Sequence, residues 1–335
     1  MVVTNNSITF VCCIEYGVLE NQTLLMLQSF RQYAGRLQNS RILAVQPRFG
    51  ASLNAHTVKM LEKLSVELII DYKNNPYTWF NYANKIAAVT IAQSLATTDL
   101  IAWLDSDTLI ASEPTELVLD SDVDFAARCE FLPPAVHSNH LEDVPYWYAL
   151  CQLFGIKYAD IPELECDHRK IQLKMFFNSG VFVWRRETNF SSEYYNAFVK
   201  LIDSKIAMYR GDFFLADQVI IGPVLMLTGL SWKHLAYKTH HMTFQFQIDG
   251  SIASPNMKDS AIIHYSKSLS EPYKSKMLER IKQELPHFYA NFKDNLNSVH
   301  IVPFQVKSIL AKFLRSYRGI RWRLFAMNVK KVDKG

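Results

Sequence analysis

The sequence predicts an α/β protein with a mostly parallel central sheet flanked by helices. Apolar runs of strand length alternate with segments of helical spacing over the first hundred residues, an order that favours a parallel sheet. No low-complexity linker divides the chain, and its 335 residues, 49% of them hydrophobic, are enough for one large domain. We expect a domain at residues 1–295 and a basic helical extension at 296–335.

The first elements follow from the spacing of apolar residues. Ile8–Ile14 is a continuous apolar run, which is typical of a strand covered on both faces. Asn21–Tyr33 carries apolar residues at helical spacing, and Ile42–Val45 is a short strand-like run. Thr57–Leu64 has helical spacing again. The chain therefore begins with strand, helix, strand and helix.

The same alternation continues to residue 104. Val66–Ile70 indicates a strand, Asn81–Leu95 an alanine-rich helix, and Leu100–Leu104 a fourth strand. Ligands of such sheets bind beyond the carboxyl ends of the strands. Residues that follow these strands are therefore the first candidates for a site.

The second half is less regular. Phe131–Lys170 is a long aromatic segment without a clear period. The remaining expected elements are strands near Asp122–Arg128, at Phe176–Trp184 and at Ala261–Tyr265, and helices at Ser191–Asp203 and Asp212–Leu227.

Two carboxylates follow directly on the fourth strand. Asp105 and Asp107 are two residues apart, and alternate side chains of an extended segment point the same way, so both can face one cavity. Ionised carboxylates beside a buried strand need a positive charge nearby. Hard oxygen ligands suit Mg²⁺ or Mn²⁺, which can bridge two phosphates. A polar turn is the alternative, because Asp and Ser are common turn residues.

The triplet Asp105-Ser106-Asp107 resembles the Asp-x-Asp motif of glycosyltransferases with the nucleotide-diphospho-sugar (GT-A) fold. Three later segments come in the order of that fold, namely Phe177-Asn178-Ser179-Gly180-Val181, Asp217-Gln218 and His264-Tyr265. Together they look most like glycosyltransferase family 8, the glycogenin-like group. The sequence departs from that group after His264, where Tyr265-Ser266-Lys267 replaces a Gly followed by Lys-Pro-Trp.

The resemblance implies a metal site and catalytic residues. Asp105, Asp107 and His264 would hold Mn²⁺ or Mg²⁺. Asn178 would hydrogen-bond the donor or acceptor sugar, although a structural turn is its alternative. Asp217 would contact donor hydroxyls, or act as the base of an inverting reaction; a helix N-terminal role is its alternative.

Further residues are candidates for the nucleotide-sugar donor. By resemblance, Gln218 lies near the anomeric carbon if the reaction is retaining, and Lys85 touches the diphosphate or ribose. Lys267 would reach a phosphate oxygen as a point charge, and Ser106 belongs to the acidic triplet. For both lysines, a solvated side chain is the alternative.

Two strand ends add to the donor candidates. Glu15, Tyr16 and Gly17 end the first strand, where Tyr16 could stack on the base and Gly17 would permit a tight turn. Asp71 ends the third strand and is a candidate for the base or the ribose.

Aromatic and histidine residues between the acidic triplet and Asn178 are the candidates for the acceptor site, with core residues as the alternative. They are His137, His140, Trp147 and Tyr148.

The C-terminal extension is strongly basic. Between Val299 and Gly335 there are nine Lys or Arg and one acid, whereas the whole chain carries a net charge of only +4. Aromatic residues lie among these bases, which favours either a surface anchor on anionic lipid or a helix that packs on the domain with a solvated basic face. No nucleic-acid motif accompanies them, so we expect no nucleic-acid partner.

The expected location is cytoplasmic, in solution or peripherally on the inner face of a membrane. The first residues show no signal peptide, and the longest apolar stretch, Val219–Leu230, is shorter than the roughly 20 residues of a spanning helix. The five cysteines form no CxxC pair, which indicates free thiols in a reducing compartment.

We therefore expect a metal-dependent glycosyltransferase that moves a sugar from a nucleotide-diphosphate donor, preferably a UDP-sugar, to a glycan or lipid-linked acceptor. Retention of configuration is slightly favoured over inversion with Asp217 as base. A non-catalytic sugar-nucleotide-binding protein of the same fold is the main alternative. A phosphohydrolase is disfavoured, because its Asp-x-Asp belongs at the first strand and precedes a Thr, where this chain has Leu109.

Overall fold

The structure is a computed structural model that describes residues 8–137, 141–166, 170–208, 213, 215–244, 248, 255–298 and 308–333. Its strands are β1 (Ile8–Cys13), β2 (Arg41–Gln46), β3 (Glu67–Ile70), β4 (Leu100–Leu104), β5 (Thr108–Ile110), β6 (Phe125–Cys129), β7 (Glu163–Cys166), β8 (Ile171–Lys174), β9 (Phe177–Arg185), β10 (Ile206–Ala207), β11 (Trp232–His234), β12 (His240–Met242), β13 (Ile262–His264) and β14 (Lys330–Lys331).

Helices connect most of these strands. They are α1 (Val18–Tyr33), α2 (Ala55–Lys63), α3 (Ala83–Leu95), α4 (Val144–Phe154), α5 (Phe190–Ser204), α6 (Ala216–Val219), α7 (Ile221–Thr228), α8 (Lys274–Glu284), α9 (Pro286–Ser298) and α10 (Ile309–Ala326). Residues 1–7, His140 and Asp212, on which expectations from the sequence fall, lie outside the described residues.

The central sheet has seven strands in the order β11-β6-β9-β4-β1-β2-β3. β1 pairs in parallel with β2 and β4, and β2–β3 and β6–β11 are parallel as well. Only β9 runs antiparallel, between β4 and β6. The predicted mostly parallel sheet is therefore confirmed. An antiparallel strand begins where its parallel neighbours end, so the first residues of β9 lie at the carboxyl edge of the sheet.

Alternate residues of β1 enter two different cores. Val11 and Cys13 belong to a cluster that includes α3, α4, α5 and α7, whereas Phe10 and Cys12 belong to a cluster with α1 and α2. This alternation follows from the period of two in a strand, and it shows that helices cover both faces of the sheet.

A second, three-stranded sheet has the order β12-β13-β5. β5 follows the acidic triplet and runs antiparallel to β13, with Thr108 opposite His264. A third core joins this sheet to α1, α8 and α9. The expected strand at Ala261–Tyr265 is thus β13, in a sheet that the sequence pattern did not indicate.

The segment expected as one helix from Asp212 to Leu227 forms two helices, α6 and α7, that meet at Ile220. Pro223 is the physical reason, since its ring excludes the amide donor and clashes with the carbonyl group four residues earlier. In the long aromatic segment, α4 and β7 were not expected, because that stretch shows no clear period.

The C-terminal helix α10 packs on the domain. The Trp322 ring stacks on Phe80 with centroids 5.4 Å apart, and the Phe325 ring lies 4.8 Å from that of Trp79. β14 then pairs in parallel with β10. The expected domain boundary at residue 295 falls within α9, and residues 299–307 lie outside the described part, so the division into domain and tail stays a prediction.

Candidate active site

The acidic triplet and His264 meet at the carboxyl edge of the sheet. β4 ends at Leu104, the triplet turns the chain, and pairing of β5 with β13 places His264 beside it. His264 Nε2 lies 3.2 Å from Asp107 Oδ1 and 4.0 Å from Asp105 Oδ2. Ligand atoms of all three residues lie within 4.8 Å of one another, close enough for one cation to contact all of them.

The His264 ring is held on its other side by His240. His240 Nε2 lies 3.1 Å from His264 Nδ1, and the two rings are nearly parallel. Burial, with repulsion from Arg128 and His264, holds the pKa of His240 well below its ordinary value, so the Nε2 atom of a neutral His240 can accept a hydrogen bond from the Nδ1–H group of His264. That arrangement leaves Nε2 of His264 directed at the carboxylates. Sequence reasoning missed His240 because the contact is made across β12 and β13.

Gly180 makes room for this histidine. A β-carbon at Gly180 would collide with the His264 ring and would lie 3.0 Å from Asn178 Oδ1. The Gly180 carbonyl accepts a 2.8 Å hydrogen bond from the Asp105 amide. The glycine of the Phe-Asn-Ser-Gly-Val segment is therefore required by close approach and not by an unusual backbone angle.

Lys85 is the positive charge that the buried carboxylates require. Its Nζ lies 3.1 Å from Asp105 and 2.8 Å from Asp217, and it donates to Ser179 O at 2.8 Å. Burial lowers the pKa of Lys85, but attraction to the two carboxylates outweighs burial and raises it above its ordinary value. Lys85 therefore stays charged, and the alternative of a solvated helix lysine is wrong for this buried residue.

Burial and charge act in opposite directions on the triad. Burial raises the pKa of Asp105 in spite of Lys85. Burial also raises the pKa of Asp107, but His264 outweighs it and leaves that pKa below its ordinary value. Burial lowers the pKa of His264, but attraction to Asp107 and Asp105 raises it by more, so the pKa of His264 lies above its ordinary value. The two carboxylates thus stabilise the protonated form of the imidazole.

Asp217 and Gln218 lie against the start of β9. Ser179 Oγ donates to Asp217 Oδ2 at 2.8 Å, and the Ser179 amide donates to Gln218 Oε1 at 3.1 Å. Asp217 Oδ1 and Gln218 Nε2 are buried without a hydrogen-bond partner among the described residues. These two atoms are free for a ligand beside Lys85.

Asn178 leads to a charged pair that sequence reasoning missed. Its Nδ2 donates to Glu130 Oε2 at 2.8 Å, and Arg128 Nη2 lies 3.3 Å from the same oxygen. Arg128 is fully buried, over the Tyr237 ring. An Arg and a Glu at the end of the apolar strand β6 are the signal that could have identified them.

Ser106 fastens the triplet to the first strand. Its Oγ donates to Cys13 O at 2.9 Å and accepts from Thr23 Oγ1 at 3.1 Å. Ser106 is buried, so its role in this structure is to hold the turn between Asp105 and Asp107 in place.

Glu15, Tyr16 and Gly17 line a cleft of about 630 Å³ at the ends of β1 and β2. Glu15 pairs with Arg48 at 2.8 Å and accepts from Asn84 Nδ2 at 3.1 Å. Because Lys85 follows Asn84 in α3, the cleft and the acidic triad lie side by side.

Other candidates lie elsewhere. Asp71 accepts from the Lys73 amide and from Asn74, within its own loop, and it does not line the cleft. The Lys267 side chain is exposed and makes no contact with the triad. Of the acceptor candidates, Trp147 is buried in the core and Tyr148 is 57% exposed.

Three solved glycosyltransferase structures resemble this fold at low sequence identity. The apo structure of the bifunctional glycosyltransferase WbbM matches with a TM-score of 0.55 and 13% identity over 90% of this chain and 53% of that chain. The galactosyltransferase LgtC, solved with donor and acceptor sugar analogs, matches with a TM-score of 0.49 and 14% identity over 89% of this chain and 97% of that chain. The apo form of the glycosyltransferase GlyE of Streptococcus pneumoniae TIGR4 matches with a TM-score of 0.48 and 15% identity over 89% of this chain and 65% of that chain. No curated protein sequence matches this chain.

The fold is that of the GT-A glycosyltransferases. The sequence also matches the Rhodobacterales glycosyltransferase domain over residues 10–229, more than half of its length. The chain belongs to that family. The predicted fold and enzyme class are thereby confirmed, whereas membership in glycosyltransferase family 8 stays a prediction.

Proposed function

We propose that this glycosyltransferase depends on a divalent cation and takes its sugar from a nucleotide-diphosphate donor, preferably a UDP-sugar. The observation that carries the proposal is the convergence of Asp105, Asp107 and His264 within 4.8 Å. Two carboxylates and one imidazole suit Mn²⁺ or Mg²⁺. When bound, such an ion supplies charge that neutralises the diphosphate leaving group.

The chain's own residues supply positioning and charge. Lys85 holds Asp105 and Asp217 together and stays charged beside the place proposed for the diphosphate. A fixed positive charge in a buried site stabilises negative charge that develops on the leaving group. His240 fixes the direction of the His264 ring. Asn178, which donates a hydrogen bond to Glu130, is the side chain that we propose for sugar hydroxyls.

Retention of configuration is favoured over inversion with Asp217 as base. A general base must reach the acceptor hydroxyl. Asp217 is only 1% exposed, and although its Oδ1 has no partner among the described residues, its carboxylate is bound through Oδ2 to the Lys85 ammonium and the Ser179 hydroxyl. The neighbouring Gln218 has an unpartnered buried Nε2 among the described residues, which suits a contact near the anomeric carbon. Analysis of the product anomer by NMR distinguishes the two outcomes.

Activity with a panel of nucleotide sugars, each with and without Mn²⁺, tests the proposal. We expect turnover of one donor only with metal, and a loss of about a hundredfold or more in kcat/KM for Asp105→Asn and for Asp107→Asn. The matched control is Asp120→Asn, which removes an exposed carboxylate paired with Lys233 and leaves the site intact. Full activity in both site variants would contradict metal dependence.

The acceptor that we propose is a glycan or lipid-linked sugar, with the protein peripheral to a membrane. Support comes from α10, whose outward side carries exposed apolar residues at helical spacing among basic ones. They are Ile309, Leu310, Phe313, Tyr317, Ile320 and Leu324, and the exposed Met327 follows directly after the helix. Within the described residues, no helix has the length and apolar character needed to cross a bilayer.

A further inference from the structure

The inner side of α10 forms a wall of the cleft beside the triad. The floor of the cleft comes from the ends of β1 and β2 and from the loop that carries Trp79. The facing wall comes from α10 through Ala311, Leu314, Arg315, Arg318, Gly319 and Trp322. The sequence pattern of this segment predicts either a membrane anchor or a helix packed on the domain, and it predicts no part in a binding site.

The cleft has an excess of positive charge. Arg48, Arg315 and Arg318 line it, and Glu15 is its only acidic side chain among the described residues. Glu15 is already engaged by Arg48, through two hydrogen bonds of 2.5 and 2.8 Å. Arg315 and Arg318 of α10 therefore face the cleft, and neither forms an ion pair with a carboxylate within the described part of the chain.

The Arg318 guanidinium is held by a hydrogen bond at a position where burial and a neighbouring positive charge destabilise its charged form. Its Nη2 donates to Phe49 O at 2.6 Å, which fixes the guanidinium across the cleft from α10 to the end of β2. Burial lowers the pKa of Arg318 and repulsion by Arg48 lowers it further, with attraction to Glu15 acting in the opposite direction and a net decrease. Like charges held together in a partly buried cleft favour a bound anion, and guanidinium groups are suited to phosphate oxygens.

The remaining lining suits a nucleotide. Tyr16, Trp79 and Trp322 line the cleft, and aromatic side chains are suited to contact a heterocyclic base. The volume of about 630 Å³ is in the range of small-molecule sites. Val18 and Leu19 place the first turn of α1 in the cleft, and the amides of a first turn have no partner within their own helix.

We infer that α10 closes the donor cleft and that Arg315 and Arg318 bind a phosphate group of a nucleoside diphosphate. The inference rests on the proposed function in that it takes the donor to be a nucleoside-diphosphate sugar. It adds binding residues outside the four motifs and beyond residues 10–229, the extent of the family match. The part of the chain that the family resemblance leaves uncovered thus completes the donor site.

Calorimetric titration with three probes tests this inference. The probes are UDP with Mn²⁺, inorganic pyrophosphate without metal, and uridine. For Arg315→Gln and Arg318→Gln we expect binding of UDP and pyrophosphate about ten- to a hundredfold weaker, because each variant loses charged hydrogen bonds. Uridine binding should stay unchanged. Arg318→Lys should retain part of the affinity.

Controls separate this inference from the proposed function. Arg321→Gln removes the same charge from an exposed position of α10 outside the cleft and should bind all probes like the wild type. Arg315 is exposed and makes no hydrogen bond within the described chain, so its loss should leave the fold intact. Asp105→Asn should weaken UDP with Mn²⁺ but leave metal-free pyrophosphate binding unchanged.

The inference is overturned if wild-type protein does not bind pyrophosphate, or if Arg315→Gln and Arg318→Gln bind it as tightly as the wild type. Equal weakening of uridine and UDP would also overturn it, since that pattern means collapse of the cleft. A different result contradicts the proposed function, namely UDP binding by the wild type that does not change with Mn²⁺ and that Asp105→Asn does not weaken.

Discussion

Single residues hold this site together through hydrogen bonds, ion pairs and close packing. Lys85 joins Asp105 to Asp217, and Ser106 fixes the acidic turn to β1. Gly180 allows the His264 ring to lie against the backbone of β9. The site therefore has little tolerance for added volume.

Gly180→Ala should disrupt the triad. Its β-carbon overlaps the His264 ring, so the ring or β9 must shift, and we expect Mn²⁺ affinity to fall about tenfold or more with a stability loss of about 1–3 kcal/mol. Mn²⁺ titration and thermal unfolding measure both effects.

Gly319→Ala is the matched control for metal binding. A β-carbon there meets nothing within 4 Å, and alanine replaces glycine inside a helix. We expect unchanged Mn²⁺ affinity and a gain of about 0.5–1 kcal/mol in helix stability. Unchanged Mn²⁺ binding in Gly180→Ala would show that His264 is not a ligand.

At the scale of elements, α10 has two different sides. One side packs through Trp322 and Phe325 against Trp79 and Phe80, and it also lines the cleft. The other side exposes a row of large apolar residues such as Phe313, which is 67% exposed. Burial of apolar surface stabilises a helix, and the described residues bury only one of the two apolar sides of α10.

Trp322→Ala should loosen α10 without unfolding the domain. Loss of the aromatic contacts costs about 2 kcal/mol, so amide protection across 309–326 in hydrogen exchange should fall about thirtyfold. Phe313→Ala, on the exposed side, should change protection by less than about 0.5 kcal/mol in solution. Equal effects of the two variants would mean that α10 is not held by its inner side.

At the scale of the molecule, the charge is divided. The triad and its neighbours form an acidic edge balanced by Lys85, whereas the residues from Val299 to Gly335 hold nine bases and one acid. The exposed side of α10 shares this basic segment. An anionic bilayer is the surface that complements both its charge and its apolar row.

Vesicle sedimentation tests whether the exposed side of α10 contacts an anionic membrane. Wild-type protein should bind vesicles that contain phosphatidylserine, more weakly as salt increases, and bind neutral vesicles poorly. The double variant Phe313→Glu, Leu324→Glu should lose binding. The control variant Leu227→Glu changes an apolar side chain of similar exposure (53%) on α7, and this variant should still bind the vesicles. Identical binding by both variants would exclude α10 as the contact.

The sequence by itself determined the alternation of β1 to β4 with α1 to α3. The spacing of apolar residues within each short segment indicates whether that segment buries one face as a helix or as a strand. The sequence also determined the acidic triplet and the order of Asn178, Asp217 and His264, because these are short motifs. Lys85 was a candidate by resemblance, and its contact with the donor stays a prediction; only the structure showed that it is buried between two carboxylates.

The tertiary structure decided what depends on distant pairing. The register of β5 with β13 brings His264 to Asp107, and no local pattern fixes a contact across more than 150 residues. The same holds for His240 behind His264, for Glu130 beside Asn178, and for the placement of α10 over the cleft. Such contacts are set by how covered surfaces fit together, which is a property of the whole chain and not of any segment.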